Sequence, residues 1–332
     1  MKAMLSHEPG GPETLKLTEL DTPVPGKKQV LVRVHAAGLN FPDTLIIQDL
    51  YQMKPPRPFA PGGEVAGEVL AVGADVKEFA VGDRVLGLCA FGGFASHIAI
   101  DAAQLIKIPD EMPYDEAACL IFTYGTSHHA LKNRADIKKG EQLLILGAAG
   151  GVGTAAIELG KAAGARVIAA VSSEEKAQFC REMGADETII YSRDMDNREA
   201  QKAFTTQIRK LAGGDGVDVV YDAVGGPYAE PAVRALAWQG RYLVVGFPAG
   251  IPKIPLNLTL LKGSQIVGVF WGAHTLREPM LHARNMADLL RLYTNGAIKP
   301  RICARFKLED AAAALELMMT RKVMGKVVVE IT

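Results

Sequence analysis

Apolar and polar positions along the chain fall into two regimes. Up to about residue 110, short runs alternate with period two between clusters of Gly and Pro. This pattern predicts strands over residues 30–36, 64–72 and 84–88, with Gly82-Asp83 as a tight turn before the last. Short strands joined by Gly turns indicate an all-β or α+β unit. From about residue 114 the period changes. Residues 115–133 predict one or two helices, and 143–146 an apolar strand that runs into glycines. Then come a helix at 154–163, a strand at 166–171, a helix at 174–183, a strand at 187–191 and a helix at 198–211. Residues 217–221, 241–245 and 265–270 are continuous apolar runs, as expected for strands buried on both faces of a parallel sheet. This βαβ alternation predicts a doubly wound α/β fold. The character then turns mixed again: Pro279 opens a helix to about residue 295, residues 310–319 are helical, and 326–331 form a last strand.

Composition narrows the classes. A chain of 332 residues suggests roughly two domains, and 48% hydrophobic with 22% charged residues is an ordinary globular balance. Lys and Arg total 37 and Asp and Glu total 37, so no global field favours nucleic acid or an anionic membrane. No apolar run is long enough to span a bilayer, and the first residues lack an apolar leader core; a cytoplasmic protein is expected. Cys89, Cys119, Cys180 and Cys303 are scattered with no C-x-x-C pair, so neither a structural zinc site nor a disulfide framework is expected. His128 and His129 are neighbours and project about 100° apart on a helix, which is not a ligand pair. No metal is expected.

The segment Leu143-Leu-Ile-Leu-Gly-Ala-Ala-Gly-Gly-Val-Gly153 carries the strongest local signal. A strand ends, Gly147, Gly150, Gly151, Val152 and Gly153 form a turn, and an Ala-rich helix begins. Glycine lets backbone N–H groups approach a pyrophosphate, and the helix N-terminus adds partial positive charge. A dinucleotide site is predicted. NAD-type sites carry Asp or Glu at the tip of the second strand, to hold the ribose 2′-hydroxyl. Here Ser172 and Ser173 occupy the tip and Lys176 follows, which suits the 2′-phosphate of NADPH. Glu174 and Glu175 are expected in the first helical turn, facing water. Tyr191, at the end of the next strand, is a candidate near the adenine ribose. Phe247, Phe270 and Trp271 lie at or just past strand ends, where ligands of doubly wound sheets bind.

On these residues the chain resembles the medium-chain dehydrogenase/reductase superfamily, most closely its zinc-free quinone oxidoreductase branch, the zeta-crystallin-like proteins. The resemblance rests on Ala37-Gly-Leu-Asn40-Phe-Pro-Asp43, Pro61-Gly62-Gly63-Glu64, Val81-Gly82-Asp83-Arg84-Val85, the glycine loop and Gly325-Lys326-Val327-Val328. Zinc-dependent relatives carry a Cys ligand near Gly38-Leu39-Asn40 and a His where Gly63 stands; both are missing here. The resemblance implies a GroES-like β-rich catalytic domain over residues 1–121 and 272–332 and an NADPH-binding Rossmann domain over 122–271. It also implies an active cleft at their junction and a homodimer paired through the edge strand at 265–270.

The implied chemistry is hydride transfer from NADPH to a quinone or a similar electron-poor acceptor. Relatives line the cleft with Asn-x-x-Asp, here Asn40 and Asp43, whose Asn bonds a substrate oxygen or fixes a nearby side chain. Tyr51 resembles the proton donor proposed for enoyl-thioester reductases; it would serve as that acid or as a lid aromatic. By the same resemblance, Thr126 and His129 lie on the nicotinamide side, and Lys326 reaches the cofactor from the other domain. The alternatives are a reductase of α,β-unsaturated carbonyls or enoyl thioesters using Tyr51 and, in a different class, a weakly catalytic NADPH-binding structural or RNA-binding protein. Balanced charge argues against the last.

Overall fold

The computed structural model describes residues 1–192 and 194–331. In chain order its elements are β1 (Lys2–Ser6), β2 (Leu15–Glu19), β3 (Gln29–Gly38), α1 (Phe41–Ile46), β4 (Glu64–Val72), β5 (Arg84–Leu88), β6 (His97–Asp101), β7 (Leu105–Lys107) and α2 (Tyr114–Ala117). Next come α3 (Ile121–His128), a π-helical turn (His129–Arg134), β8 (Gln142–Leu146), α4 (Gly151–Ala162), β9 (Arg166–Val171), α5 (Glu174–Glu182), β10 (Glu187–Ile190), α6 (Arg198–Leu211) and β11 (Val217–Asp222). Then follow α7 (Ala229–Arg234), β12 (Leu236–Val244), α8 (Asn257–Lys262), β13 (Gln265–Gly268), α9 (Trp271–Arg277), α10 (Pro279–Thr294), β14 (Ile302–Lys307), α11 (Ala311–Met319) and β15 (Lys326–Glu330). Among the described residues, no helix is long and apolar enough to cross a membrane.

Two compact units divide the chain, one formed by residues 1–122 with 299–332 and the other by 123–298. In the first, the strand order β14-β15-β3-β4-β5-β7, with β6 also paired to β3, makes a largely antiparallel sheet. Alternation in β3 and β4 buries Val30, Val32, Val34, Val65 and Val69 in one core with Phe94, Leu315 and Val329. The β3–β4 register sets Gly38 opposite Glu64. A Cβ at Gly38 would meet the Ala118 carbonyl at 2.0 Å and Glu64 Oε1 at 2.5 Å, so only glycine fits there.

The second unit is the predicted doubly wound sheet. Its order β10-β9-β8-β11-β12-β13 is all parallel. This is the 3-2-1-4-5-6 order of a dinucleotide-binding fold, with its switch point between β8 and β11. Leu143, Leu144, Ile145 and Leu146 are fully buried, as continuous apolar strands require. Two expectations are corrected. β13 is an edge strand with Gln265, Ile266 and Gly268 exposed, so it is not buried on both faces. Residues 272–298, expected in the GroES-like domain, belong to the second unit, because α9 and α10 pack against the π-helical turn there.

Candidate functional site

The glycine loop leaves β8 at Gly147, whose φ of +72° favours glycine. A Cβ at Gly153 would lie 2.5 Å from the Gly147 carbonyl and 2.6 Å from that of Ala148, so this glycine lets α4 seat on the loop. At Gly150 a Cβ would meet only the Gly147 carbonyl, at 3.5 Å, and otherwise open space. That bare flank beside the first turn of α4, whose leading N–H groups have no intrahelical acceptor, fits a pyrophosphate. Buried polar side chains hold the loop. Ser127 on α3 donates to the Val152 carbonyl at 2.8 Å and shares a 2.8 Å hydrogen bond with the Tyr221 hydroxyl. At the end of β11, Asp222 accepts from the N–H groups of Val224 and Gly225 at 2.7 and 2.8 Å and from the Tyr242 hydroxyl. The turn so fixed sets Val224 against Gly147, where an added Cβ would meet it at 2.8 Å. Sequence reasoning missed Ser127, Asp222 and Tyr242. Their only signal was a polar residue inside an apolar helix or at an apolar strand end.

At the tip of β9, Ser172 is half-buried and Ser173 caps α5, its Oγ accepting from Lys176 N–H at 3.3 Å. The Glu174 carboxylate pairs with Arg181, further along the same helix, and Glu175 is exposed. Tyr191 donates its backbone N–H to Val171 at 2.9 Å, which sets it beside this tip. Its ring lies 4.7 Å from that of Tyr228 and edge-on to Phe204.

The indole of Trp271 packs on α3 at Gly125, where a Cβ would meet it at 2.7 Å. Thr126, the next residue, is buried. Phe247 and Phe270 are exposed, Phe247 next to the Gly225 turn. His129 packs toward the last helices of this unit. Its ring stacks on His274 of α9, and its Nδ1 lies 3.1 Å from Asn133 Oδ1, which also accepts from Asn285 of α10 at 2.7 Å. His129 thus joins the π-helical turn to α9 and α10.

In the first unit, Asn40, Asp43, Glu64 and Lys326 converge below the surface. The Lys326 ammonium donates to the Leu39 carbonyl at 2.8 Å, to Asn40 Oδ1 at 2.8 Å and to Glu64 Oε1. Its three N–H bonds are all made within this cluster. Asn40 Nδ2 donates to Glu64 Oε1 at 2.9 Å, so the amide is tied to its neighbouring side chains. Glu64 Oε2 accepts from the Phe122 N–H at 3.0 Å. Asp43 Oδ2 accepts from Asn40 N–H at 2.8 Å and Oδ1 from Gly62 N–H at 3.2 Å, yet burial pushes its carboxyl up to about 7. Tyr51 is half-buried, its phenol pushed above the ordinary range by burial and by the Asp43 charge. Arg57 is committed to Asp49, the Ile47 carbonyl and Ser6. Among the described residues, no group of three or more His, Cys, Asp or Glu side chains is placed to share a metal ion.

A parallel sheet of this order with a glycine loop at its switch point, alongside an antiparallel β unit carrying buried acids and a tyrosine, defines a dinucleotide-dependent oxidoreductase. Residues 26–110 match the family described as alcohol dehydrogenase GroES-like domain, and residues 151–285 that described as zinc-binding dehydrogenase. The chain is 37% identical over 332 residues to a quinone oxidoreductase-like protein 2 homolog of Nematostella vectensis, covering 99% of this chain and 88% of that protein. A mycobacterial structure complexed with NADPH superposes with a TM-score of 0.91 at 31% identity, covering 99% of this chain and all of that one. The CurK enoyl reductase gives 0.87 at 28%, covering 100% and 99%. The chain belongs to the medium-chain dehydrogenase/reductase superfamily, in its quinone oxidoreductase branch.

Proposed function

We propose that this enzyme uses NADPH to reduce a quinone or similar electron-poor acceptor without a metal. The observation that carries the cofactor choice is the tip of β9: Ser172 and the Ser173 cap stand there with Lys176 in the next turn, and the Glu174 carboxylate is drawn to Arg181. NADPH, when bound, supplies a hydride. The chain's part is to seat the pyrophosphate on the flank of Gly150, to receive the 2′-phosphate at Ser172 and Lys176, and to place Phe247, Phe270 and Trp271 near the nicotinamide. Two facts support metal independence: Gly63 has no ligating side chain, and the Glu64 carboxylate is already matched by the Lys326 ammonium. The mycobacterial structure with NADPH and the quinone oxidoreductase-like relative support the same reading. A steady-state screen of NADPH and NADH against quinones, enals and enoyl thioesters tests it. Absence of NADPH oxidation with every acceptor rejects it.

A second reading, reduction of α,β-unsaturated carbonyls, is favoured by Tyr51. A phenol held in its protonated form can deliver a proton to the carbon next to the carbonyl after hydride addition. We also propose a homodimer through β13. Phe270, Leu276 and Met280 just beyond this edge strand are 62%, 74% and 72% exposed, an apolar surface that a second copy would cover. Sedimentation as a monomer at micromolar concentration would reject that assembly.

A further inference from the structure

We propose that Lys326 is a positioning residue: through Asn40 and Glu64 it sets the Asn40–Asp43 turn, and through that turn the proton-delivering end of the site at Tyr51. This rests on the reading of Tyr51 as acid. The geometry is a closed set of bonds around one ammonium. Lys326 Nζ joins the start of β15 to the Leu39 carbonyl at the end of β3, to the Asn40 side chain that precedes α1, and to Glu64 at the start of β4. Glu64 lies fully buried and Lys326 nearly so. Glu64 extends the set to the Phe122 N–H in the first turn of α3. Asn40 continues it in the other direction, because its backbone N–H holds Asp43 Oδ2.

A buried ammonium with all three donors used is fixed in place, so its field on its neighbours is fixed as well. The charged and titratable groups facing the Asp43 carboxyl are Lys326, Glu64, Tyr51 and Cys89. Lys326 is the only cation among these four, and it opposes the burial that drives Asp43 toward its neutral form. Asp43 in turn acts on the Tyr51 phenol. Lys326 therefore governs both where α1 begins and how much charge stands behind Tyr51, acting through Asn40 and Glu64.

The test compares wild type, Lys326→Met and the double variant Glu64→Gln/Lys326→Met. It uses three readouts: NADPH affinity by fluorescence titration, turnover with an enone across pH, and the side-chain ¹³C carboxyl titration of Asp43, assigned with Asp43→Asn. For Lys326→Met we expect NADPH affinity within twofold of wild type and a loss of more than tenfold in kcat with little change in KM. We expect the Asp43 titration, and the matching limb of the pH profile, to move to higher pH. The double variant removes both charges and should bring the titration back toward wild type; it carries the same readouts if the single variant does not fold. A tenfold loss of NADPH affinity, or an Asp43 titration that moves in neither variant, overturns the proposal. If wild type reduces no enone, the reading of Tyr51 as acid fails on its own, and the carboxyl and NADPH titrations still decide the role of Lys326.

Discussion

The imidazole rings of His129 and His274 stack with centroids 3.9 Å apart and planes 18° from parallel, joining the π-helical turn to α9. His282 of α10 meets His274 edge-on and also contacts Trp271. Burial holds the His129 imidazole below its ordinary range. Burial, with Lys132 and His129 adding to it and Asp288 opposing, lowers His128 to about 4. Burial, with His274 and His129, lowers His282 to about 4 as well.

The sign of the pH dependence follows. These folded-state values lie below the unfolded value of about 6.5, so the unfolded chain binds more protons between about 4 and 6.5. Their contribution to stability is fully present above about 6.5 and is lost as pH falls toward 4. Thermal unfolding from pH 8 to pH 4 should show Tm falling below about pH 6.5, and His282→Gln should flatten that fall. An acid limb equally steep in His282→Gln would contradict this account of the cluster.

Two glycines of one loop should respond in opposite ways. Gly150→Ala puts a methyl into the open flank, so it should keep the wild-type Tm and lose more than about tenfold in NADPH affinity. Gly153→Ala drives a methyl into two backbone carbonyls and should cost about 1–3 kcal/mol of stability. Differential scanning fluorimetry beside fluorescence titration separates the two effects.

Cofactor choice turns on the tip of β9. Ser172→Asp introduces the carboxylate that Glu174 does not supply, because Glu174 is drawn to Arg181. Affinity for NADPH should fall by at least about tenfold and affinity for NADH should hold or rise. Unchanged preference, measured as the ratio of kcat/KM for the two nucleotides, would place the 2′-phosphate elsewhere.

Tyr51→Phe distinguishes the acceptors. Hydroquinone oxygens exchange protons with water, whereas carbon does not protonate readily without a placed acid. The variant should lose on the order of 10²-fold or more in kcat with enoyl substrates and little with quinones. Equal losses on both would make Tyr51 a wall of the site.

Much of the fold was legible because strand and helix periods are local. β4, β5, β9 and α6 fall where alternation and apolar runs predict them, and the glycine loop announces itself between a strand and a helix. What was not legible depends on residues far apart in sequence. Lys326 and Glu64 are 262 positions apart, and nothing in either local pattern says that one neutralises the other. His129 and His274 are separated in the same way. Their contact moves α9 and α10 into the second unit, where composition alone suggested a return to the first. The exposure of β13 follows from its place at the end of the strand order, which an apolar run cannot encode.

The most direct test of the central claim is a single-turnover mixing experiment. Purified protein preloaded with NADPH is mixed with excess para-benzoquinone, and the nicotinamide absorbance is followed. The account predicts that one NADPH per site is oxidised with formation of one hydroquinone, at least tenfold faster than with NADH, and that a metal chelator leaves the rate unchanged. Protein that holds no NADPH, or that holds it without oxidation by the quinone or by an enone, would contradict it.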